Sequence, residues 1–457
     1  MRLRIEETAW NAFSAALRKA QDLETAGVIL AQPIGGGDVL VARRLLQIPE
    51  NGYAIRKVDQ LQIDPIALNR LVHQARVESL SVITAHTHPR TTEPWFSRAD
   101  DLGDDRLMPS FYVQSPGPHG SLVLAGASGI ATARVWRVDS GPEDLELRIV
   151  GKTLGMMPGM NAPSPVGRED WFNRQELALG AQGQRALRRL HVGVVGLGGT
   201  GSVCAAQLAH LGVGMLTFAD GDQVEPSNVS RIVGATTADA GSTSKVDVAV
   251  RYLEHIGLGT HVRALHGYLG SEIQPAELSA CDVVLSCVDR HTPRALLNRL
   301  AYDALIPVID MGSAFRVDHN GRVVSTAGRV VVVGPGRPCL GCWGHIDARQ
   351  LYVESLSPQE RIEQAGEGYI EGGDVPQPSV MPFNTLVSGA AVVELLRLVT
   401  GFSGSEDPPN RLGFDFETGS IRRSRLVGQT GCGICGEGTG APRPCVAPTT
   451  AEVGSIR

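Results

Sequence analysis

A glycine-rich turn in the middle of the sequence is the first feature that suggests chemistry. It reads VGVVGLGGTG and lies between a strand-like and a helix-like stretch. Gly196 and Gly198 let the chain turn tightly beside a phosphate, and the helix that follows points its positive N-terminal end at that charge. The next strand ends in Asp220, a candidate for binding ribose hydroxyls. Because NAD(P), flavin and ATP sites share this pattern, the turn alone predicts a nucleotide site of unspecified kind.

The residues after the turn favour ATP. The segment DGDQVEPSNVSR holds Asp222, Asn228 and Arg231, Lys245 follows it, and Asp289 ends the strand VVLSCVD. Hydride transfer needs no such set, whereas adenylation uses cations to hold a triphosphate and to stabilise charge at the α-phosphorus. A carboxylate at the carboxyl end of a strand can also hold magnesium. The alternative is that the cations are solvated surface residues and that Asp289 caps its strand.

Residues 171–436 resemble the ThiF/MoeB/HesA group of ubiquitin-activating-like adenylyltransferases. The motifs NRQ, GLGGTG, DGDQVxxSNxxR, Lys245 and Asp289-x-x-x-x-Arg294-x-x-x-Asn298 occur in the order typical of that group. Two departures are Arg290, where many members have asparagine, and a loop before Lys245 that is about one residue longer than expected. The resemblance implies a Rossmann-like α/β domain that binds ATP and Mg²⁺.

The resemblance also implies roles for individual residues. Asp220 binds the ribose, Arg231 and Lys245 bind the phosphates, and Asp289 holds the magnesium ion. Arg174 reaches into the site of a partner subunit, which implies a homodimer. The complete set of implied ATP contacts is Gly196, Gly198, Gly199, Gly201, Asp220, Asp222, Asn228, Arg231, Lys245 and Asp289.

Two C-x-x-C pairs form a candidate metal site. They are Cys339 with Cys342 and Cys432 with Cys435. Four thiolates from two such knuckles suit tetrahedral zinc, and the ThiF group carries a structural zinc at these places. The alternative is two unrelated reduced pairs. A disulfide framework would be unusual in so long a chain without an export signal.

A thioester cysteine is not evident in the sequence. Some relatives use one after the first knuckle, yet residues 343–401 contain none. We expect Cys204, Cys281 and Cys287 to be small buried residues, and Cys445 in the tail remains open as a reactive thiol. The sequence therefore favours adenylation without a thioester on this chain, with the activated carboxylate passed to another protein.

A second candidate site lies near the N-terminus. His86 and His88 alternate at the end of the strand VITAH, so their side chains share one face. Asp100 supplies a third ligand for zinc, which leaves a fourth position for water. Glu24 is placed to take a proton from that water, and Ser97 to steady an oxyanion. The five groups together predict a zinc hydrolase site.

This second set resembles the JAB/JAMM metalloproteases, which cut isopeptide and peptide bonds after ubiquitin-like tails. Eight residues separate His88 from Ser97, where that family usually has seven, while Ser-x-x-Asp is intact. The alternative is a JAB fold kept as a docking module with an inert site. We expect the neighbouring Asp101, Asp104 and Asp105 to be solvated loop charges.

The patterns of helix and strand place these residues in two domains. Residues 1–150 predict an α+β JAB/JAMM-like domain, with a helix from about Trp10 to Gln21 and strands that include AGVILAQ, SLSVITAH, SLVLAGA and FYVQSP. Residues 151–165, rich in glycine, proline and methionine, predict a linker. Residues 166–440 predict a doubly wound parallel sheet with zinc knuckles, and 441–457 a flexible tail.

Composition excludes several other classes of protein. A net charge of -6 offers no general attraction to nucleic acid or to anionic membranes. No apolar run approaches the roughly 18 residues of a membrane span, and no signal peptide is evident. We therefore expect a cytoplasmic protein without nucleic-acid or membrane partners.

The combined prediction is a fusion of two enzymes that act on one kind of protein tail. A zinc peptidase would process a ubiquitin-like precursor or its conjugates, and an adenylyltransferase would activate the C-terminal glycine of that protein or of a peptide. A conjugating enzyme or a sulfur donor would then accept the product. The alternatives are sulfur transfer for a metabolite with the JAB domain serving only to bind, and, less compatible with the charged loop, a nicotinamide-dependent oxidoreductase.

Overall fold

The computed structural model describes most of the chain, in stretches separated by gaps. These are residues 1–20, 22–115, 117–137, 141–157, 170–318, 320, 322–367, 378–402 and 410–436. The predicted tail, with Cys445, and most of the predicted linker lie outside them. The chain divides into two compact units, one built on Met1–Val166 and the other on Gly167–Tyr302 and Ile306–Thr439.

The first unit is an α+β domain around a mixed nine-stranded sheet. The strand order is β11-β10-β1-β3-β2-β6-β7-β8-β9, and β4 and β5 form a separate hairpin. Its strands are β1 (Arg2–Glu6), β2 (Ala26–Ile34), β3 (Val39–Gln47), β4 (Tyr53–Arg56), β5 (Leu61–Ile63), β6 (Ser81–His88), β7 (His119–Ala125), β8 (Ala131–Trp136), β9 (Glu143–Asp144), β10 (Glu146–Val150) and β11 (Leu154–Met157). Its helices are α1 (Glu7–Arg18), α2 (Pro65–Val77) and α3 (Arg98–Gln114).

Two separate apolar cores form around this sheet. Helix α1 buries Trp10, Phe13 and Leu17 in one cluster of strand side chains. Residues from α2 and α3, including Val72 and Phe111, join a second cluster with alternate residues of β2 and β6. Because successive strand residues point to opposite faces, each central strand contributes to both cores. This double burial fixes the register of the strand that ends in the two histidines.

Two predictions for this region are wrong. The segment FYVQ at 111–114, predicted as a strand, is the last turn of α3. Met108 and Phe111 lie three residues apart and are both buried, so packing of one helical face outweighs the strand preference of aromatic and β-branched residues. Residues 154–157, predicted as linker, form β11, which pairs antiparallel with β10.

The second unit is a doubly wound α/β domain, as predicted. Its strands are β12 (His191–Val195), β13 (Met215–Asp220), β14 (His261–His266), β15 (Val283–Ser286), β16 (Val308–Val317), β17 (Val323–Val333), β18 (Arg411–Asp415) and β19 (Ser420–Ser424). Its helices are α4 (Asn173–Arg189), α5 (Gly201–His210), α6 (Lys245–Ile256), α7 (His291–Asp303), α8 (Ala348–Ser355), α9 (Pro358–Gly366) and α10 (Met381–Thr400).

The eight-stranded sheet of this unit has the order β14-β13-β12-β15-β16-β17-β18-β19. The first five strands in that order are parallel and the last three are added antiparallel. The chain winds outward from β12 in both directions, so the crevice beyond β12 and β15 is a topological switch point. Ligands of open α/β sheets bind at such crevices.

Helix α10 is longer than the apolar runs that we expected from the sequence, none of which approached the length of a membrane span. Among the described residues it alone is long and apolar enough to cross a membrane, with a mean hydropathy of 1.4. However, 44% of the span is buried, the helix packs against α5 and β16, and its buried face includes the polar Asn384, Ser388 and Glu394. These are the contacts of a helix in a domain core.

Candidate active sites

The glycine-rich turn connects β12 to α5 at the switch point. Gly196 has a positive φ of 86°, and a Cβ at this residue would lie 2.6 Å from the carbonyl oxygen of Cys287. A Cβ at Gly201 would lie 1.8 Å from the carbonyl oxygen of Gly196. Gly198 differs, since a Cβ there would meet nothing within 4 Å. The turn is therefore closed on its protein side and open at Gly198, where a phosphate could approach.

Asp220 holds the turn from the neighbouring strand. One carboxylate oxygen accepts a hydrogen bond from the backbone N–H of Leu197 at 2.6 Å, and the other accepts from the N–H of Asp222 at 2.8 Å. Burial raises the pKa of Asp220, although Lys245 and these two amides lower it in part. The predicted ribose ligand is thus also the group that fixes the loop beneath the nucleotide.

Asp222 and Lys245 form an ion pair beside this loop. The Lys245 Nζ lies 2.6 Å from one carboxylate oxygen of Asp222, and the Tyr268 hydroxyl donates to the other at 2.6 Å. Burial raises the pKa of Asp222, but the hydrogen bonds from Lys245 and Tyr268 outweigh it, so the pKa is lowered. The hydrogen bond between Tyr268 and Asp222 raises the pKa of the Tyr268 hydroxyl to about 12. Lys245 is therefore held at one place as a cation at the start of α6.

Arg231 and Asn228 extend the polar loop. The Arg231 side chain lies against the turn, since a Cβ on Gly199 would be 3.3 Å from its Cδ, and its guanidinium donates to the Ser227 carbonyl at 2.8 Å. Asn228 is buried, and its side-chain oxygen accepts from the N–H of Glu225 at 3.4 Å. Arg231 is brought to the glycine turn, while Asn228 orders the loop that carries it.

Asp289 lies three residues beyond the end of β15, which is a strand neighbour of β12. It is exposed, and its side chain forms no hydrogen bond or ion pair within the described part of the chain. Arg294, six per cent exposed, supports the segment by donating to the Val288 carbonyl at 2.7 Å and to the fully buried Asp310 at 3.0 Å. The Asp289 carboxylate is therefore available to a ligand, on a backbone that Arg294 holds in place.

The support from α10 was not apparent from the sequence. Asn384 packs against the turn, because a Cβ on Gly199 would lie 2.3 Å from its Nδ2. The same asparagine accepts from the Ser313 hydroxyl at 2.8 Å, and Ser388 donates to the Thr200 carbonyl at 2.9 Å. The sequence does show polar residues inside an otherwise apolar helix, which indicates that they have buried polar partners. It does not show that those partners lie in a loop about 185 residues earlier.

The open space at Gly198 gives a specific test of the turn. We expect Gly198→Ala to leave the thermal stability of the protein unchanged, because the added methyl meets no atom of the chain. The methyl would instead crowd a bound phosphate at a cost of about 1–3 kcal/mol, which raises the KM for ATP about 5- to 150-fold. Thermal unfolding and ATP titration measure the two effects, and Gly389→Ala in α10, which also meets nothing within 4 Å, is the control.

Arg174 lies apart from these groups in sequence, in the first turn of α4. Its side chain is exposed, and the described part of the chain offers it no ion-pair partner. The flanking Trp171 and Leu177 are 78% and 85% exposed. The structure of one chain therefore leaves the predicted role of Arg174 in a partner's site as a prediction.

The four predicted zinc ligands converge. The sulfur–sulfur distances are 3.8 Å for Cys339–Cys342, 3.6 Å for Cys339–Cys432 and 3.5 Å for Cys342–Cys435. Tetrahedral zinc with Zn–S bonds of about 2.3 Å places its sulfurs about 3.8 Å apart, so the geometry fits. Burial raises the pKa of Cys432, but the N–H groups of Cys435 and Ile434 and the neighbouring thiols lower it to about 6.

The cysteine cluster is also tied to the nucleotide side of the domain. The Asn298 side-chain oxygen accepts from the N–H of Leu340, inside the first knuckle, at 2.9 Å. Asn298 lies on α7, the helix that follows Asp289. The first knuckle is therefore bonded directly to α7.

The remaining described cysteines are poor nucleophiles. Cys204 and Cys281 are completely buried. The hydrogen bond with Cys204, together with burial, raises the pKa of the Cys287 thiol well above its usual value. No described cysteine outside the quartet is thus an exposed thiolate at neutral pH. This favours adenylation without a thioester on this chain.

In the first unit, the structure brings the two histidines and the aspartate together. The Nε2 atoms of His86 and His88 are 3.2 Å apart, and the Asp100 carboxylate oxygens lie 3.0 Å from His86 and 3.4 Å from His88. A tetrahedral zinc with bonds of about 2.0–2.1 Å would separate such ligands by about 3.3 Å. The three donors therefore fit a zinc ion that has one position left for water.

Glu24 is placed beside this site by strand register. Ala26 pairs with His86 and the Thr25 carbonyl accepts from the N–H of Thr87, which continues the pairing toward His88. Burial raises the pKa of the Glu24 carboxyl, with opposing contributions from the two histidines. A raised pKa suits a group that takes and returns protons near neutral pH.

Ser97 is the N-cap of α3, and Asp100 is its third residue. The Ser97 hydroxyl accepts from the N–H of Asp100 at 3.2 Å, and the Asp100 carboxylate accepts from the N–H of Ser97 at 2.6 Å. This capping box fixes the metal ligand at the start of the helix. The extra residue before Ser97 is thus accommodated without displacing Asp100 from the histidines.

The expectation for Asp104 is wrong. It is 5% exposed, lies on the inner face of α3, and pairs with the guanidinium of Arg134 at 2.7 Å. Asp101 also pairs with Arg134, at 2.6 Å, and is half exposed, while Asp105 is exposed as expected. Residues three apart lie on the same side of a helix, so Asp101 and Asp104 both face Arg134. That expectation missed this because it treated the segment as a loop.

Comparison with known families supports both assignments of fold. Residues 172–434 match the ThiF family, and residues 6–139 match prokaryotic homologues of the JAB domain. The first match covers more than half of the chain, and the second covers the first unit from α1 through β8. The fusion predicted from the sequence is confirmed.

Curated relatives match mainly the second unit. The adenylyltransferase and sulfurtransferase uba4 of Aspergillus niger is 36% identical over 243 residues, which are 53% of this chain and 46% of that protein. The molybdopterin-synthase adenylyltransferase of Escherichia coli is 28% identical over 275 residues, 58% of this chain and 96% of that protein. This chain spans about half the length of the fungal relatives that it matches.

Among solved structures, E. coli MccB with MccA-N7isoAsn superposes with a TM-score of 0.47 and 18% identity. The overlap covers 59% of this chain and 76% of that one. An overlap of that quality has no bearing on which substrate this chain uses.

Proposed function

Because the chain belongs to the ThiF family and carries an N-terminal JAB domain, we propose that it adenylates the C-terminal carboxylate of a ubiquitin-like or sulfur-carrier protein. The observation that carries this proposal is the arrangement around Gly198. Lys245 and Arg231 lie beside the open turn, and Asp289 lies three residues beyond the neighbouring strand β15, without a partner among the described residues. Cations and a free carboxylate at a phosphate-binding turn suit ATP and Mg²⁺ rather than a nicotinamide.

The residues divide the work of binding and orientation. The amide groups of the turn and the N-terminus of α5 receive the phosphates, Asp220 is placed for the ribose, and Arg231 and Lys245 neutralise phosphate oxygens. Asp289 would hold the magnesium ion, which supplies charge neutralisation on the triphosphate. ATP would then compete with Asp222 for the Lys245 ammonium. Nucleotide binding would break this ion pair, and the lysine would already lie close to the phosphates.

The reaction that these groups favour is an in-line displacement at the α-phosphorus. A carboxylate oxygen of the protein tail forms a bond to that phosphorus, the bond to the bridging oxygen breaks, and pyrophosphate leaves. The cations stabilise the charge that develops on the phosphate oxygens. The product is an acyl-adenylate, and with no suitable thiol among the described residues it passes to a nucleophile on another protein.

Pyrophosphate exchange into ATP tests this proposal. The assay pairs each candidate ubiquitin-like protein ending in Gly-Gly with the same protein ending in Gly-Gly-Ala. Exchange that requires the Gly-Gly end supports adenylation of that carboxylate. ATP binding without exchange across the whole panel would contradict adenylation of such a protein tail, and absence of ATP binding would contradict the nucleotide site itself.

Sulfur transfer is the second candidate function. The fungal relative is named an adenylyltransferase and sulfurtransferase, and the bacterial one a molybdopterin-synthase adenylyltransferase. The outer sulfur of a persulfide donor could attack the acyl-adenylate and displace AMP, and a thiol reductant would then cleave the resulting acyl disulfide to a thiocarboxylate. The JAB domain would in that case serve only to bind the carrier. Thiocarboxylate formation when a persulfide donor is added separates this route from conjugation.

For the first unit, we propose a zinc peptidase that processes the same kind of tail. His86, His88 and Asp100 would hold the ion, which supplies an acidified water as nucleophile. Glu24 would accept a proton from the attacking water and return it to the leaving amine, and the Ser97 hydroxyl would donate to the developing oxyanion. Cleavage after the tail would expose the C-terminal glycine or would reverse conjugates.

Glu24→Gln separates chemistry from metal binding in this unit. We expect the cleavage rate of a ubiquitin-like fusion to fall about 100- to 10 000-fold, because the amide cannot accept a proton. Zinc content is expected to stay the same, since Glu24 is not a ligand. Glu78→Gln, which removes a surface carboxylate paired with Arg44, is the control. Equal cleavage by both variants would show that Glu24 is not the base.

A further inference from the structure

Arg134 uses every part of its guanidinium within the first unit. It lies on β8, where its side chain is 6% exposed. Its Nη2 and Nε donate to Asp104 at 2.7 and 3.0 Å, and its Nη1 donates to Asp101 at 2.6 Å. Its Cζ atom lies 3.8 Å from the centre of the Phe96 ring. Nε and Nη2 converge on one oxygen of Asp104 while Nη1 reaches Asp101. Lysine, with a single ammonium, could not reproduce this set of contacts.

These contacts surround the residues that begin α3. Phe96 immediately precedes Ser97, Asp101 immediately follows Asp100, and Asp104 lies one turn further along the helix. The stacked ring therefore holds the chain before the capping box, and the two carboxylates hold the helix after it. Ser121 on β7 completes the group by donating to Asp104 and accepting from Arg134 at 3.2 Å.

We infer that Arg134 is a positioning residue for the zinc site, which fixes Asp100 and Ser97 against His86 and His88. This inference rests on the proposed zinc site. The histidines lie on β6 and are held by the sheet, whereas Asp100 lies on a helix whose distance from β6 must be set by other contacts. Arg134 bridges β8 to the first turns of that helix and sets this distance without touching the metal.

The charge on Arg134 also explains why a carboxylate is buried behind the site. A buried Asp104 without a partner would be costly, and the guanidinium compensates its charge. Burial raises the pKa of Asp104, while hydrogen bonds from Ser121 and Arg134 oppose the change. The Arg134–Asp104 ion pair thus holds α3 at a defined distance from β8, which an apolar contact at this place would fix less closely.

The test measures zinc affinity on the full chain with a competing chelator. Wild type is expected to hold two zinc ions and His86→Ala one, the ion of the cysteine quartet. Arg134→Lys keeps the charge but loses the fork and the stacking, and we expect the N-terminal site to bind zinc about 10- to 100-fold more weakly. Arg137→Lys, whose parent arginine is 41% exposed and pairs with Asp38 and Glu143, should bind as wild type does.

Further measurements separate positioning from folding. Asp101→Asn removes one of the ion pairs at a half-exposed residue, so a loss of zinc affinity at an unchanged thermal midpoint supports positioning even if Arg134→Lys unfolds. Cleavage should show a lower kcat with an unchanged KM. Wild-type zinc affinity in both variants would overturn the inference and leave the zinc site intact. Equal zinc content in wild type and His86→Ala would overturn both.

Discussion

Asp289→Asn is expected to lower carrier-dependent pyrophosphate exchange about 1000-fold. The carboxylate lies just beyond β15, is exposed, and has no protein partner among the described residues. The substitution preserves shape and removes only the charge that would bind magnesium. Because Arg294 and Asp310 fix the backbone from behind, the fold is expected to stay unchanged. Exchange rates at saturating ATP and thermal unfolding measure the two quantities.

The control and the contradicting outcome are both accessible. Glu254→Gln removes another exposed carboxylate of the same domain, on α6, and should leave exchange unchanged. Exchange by Asp289→Asn within a few-fold of wild type would show that magnesium is held elsewhere. Mixing Asp289→Asn with Arg174→Ala, which we also expect to be inactive, tests the homodimer predicted from the sequence. Activity returns only if Arg174 acts in the partner's site.

Cys342→Ser is expected to release one zinc ion and to destabilise the second unit by several kcal/mol. Structural zinc contributes apparent binding free energies of about 10 kcal/mol or more in small domains, and here it would join the two knuckles, which lie 93 residues apart in the chain. Since Asn298 binds the first knuckle and lies on the helix after Asp289, exchange activity should fall as well. Zinc content per chain and denaturant unfolding are the measurements.

Cys204→Ala is the matched control for that substitution. Cys204 is buried and lies outside the quartet, so its removal costs packing and leaves both metal sites complete. Full zinc content and unchanged stability in Cys342→Ser would contradict a structural metal. They would leave two reduced pairs that happen to be adjacent.

The chemistry of both sites follows closely from local sequence. The glycine turn, the strand-end carboxylates and the alternating histidines each need only a few adjacent residues to be recognised. The cysteine quartet joins residues 93 positions apart, and it was predictable because zinc demands four ligands and each knuckle offers two. In these cases the requirements of a ligand predict which distant residues come together, which secondary-structure propensity alone does not do.

The supports of the sites depend on packing that no short segment encodes. Asn384 reaches the glycine turn only because α10 packs against α5, and Asp104 is buried only because α3 turns it toward Arg134. The FYVQ segment is helical for the same reason, because continuing α3 through it buries Phe111 in the apolar core. Long-range contacts of this kind determine which polar residues are structural.

The most direct test of the central claim is intact-mass analysis of a Gly-Gly carrier after incubation with wild-type protein, magnesium and ATP labelled at the α-phosphorus. The account predicts that the carrier gains one AMP at its C-terminal carboxylate, with label retained, and that an equal amount of pyrophosphate is released. Release of ADP with transfer of the γ-phosphoryl group would contradict adenylation. So would an unmodified carrier while bound ATP stays intact, if every carrier in the panel behaves in that way.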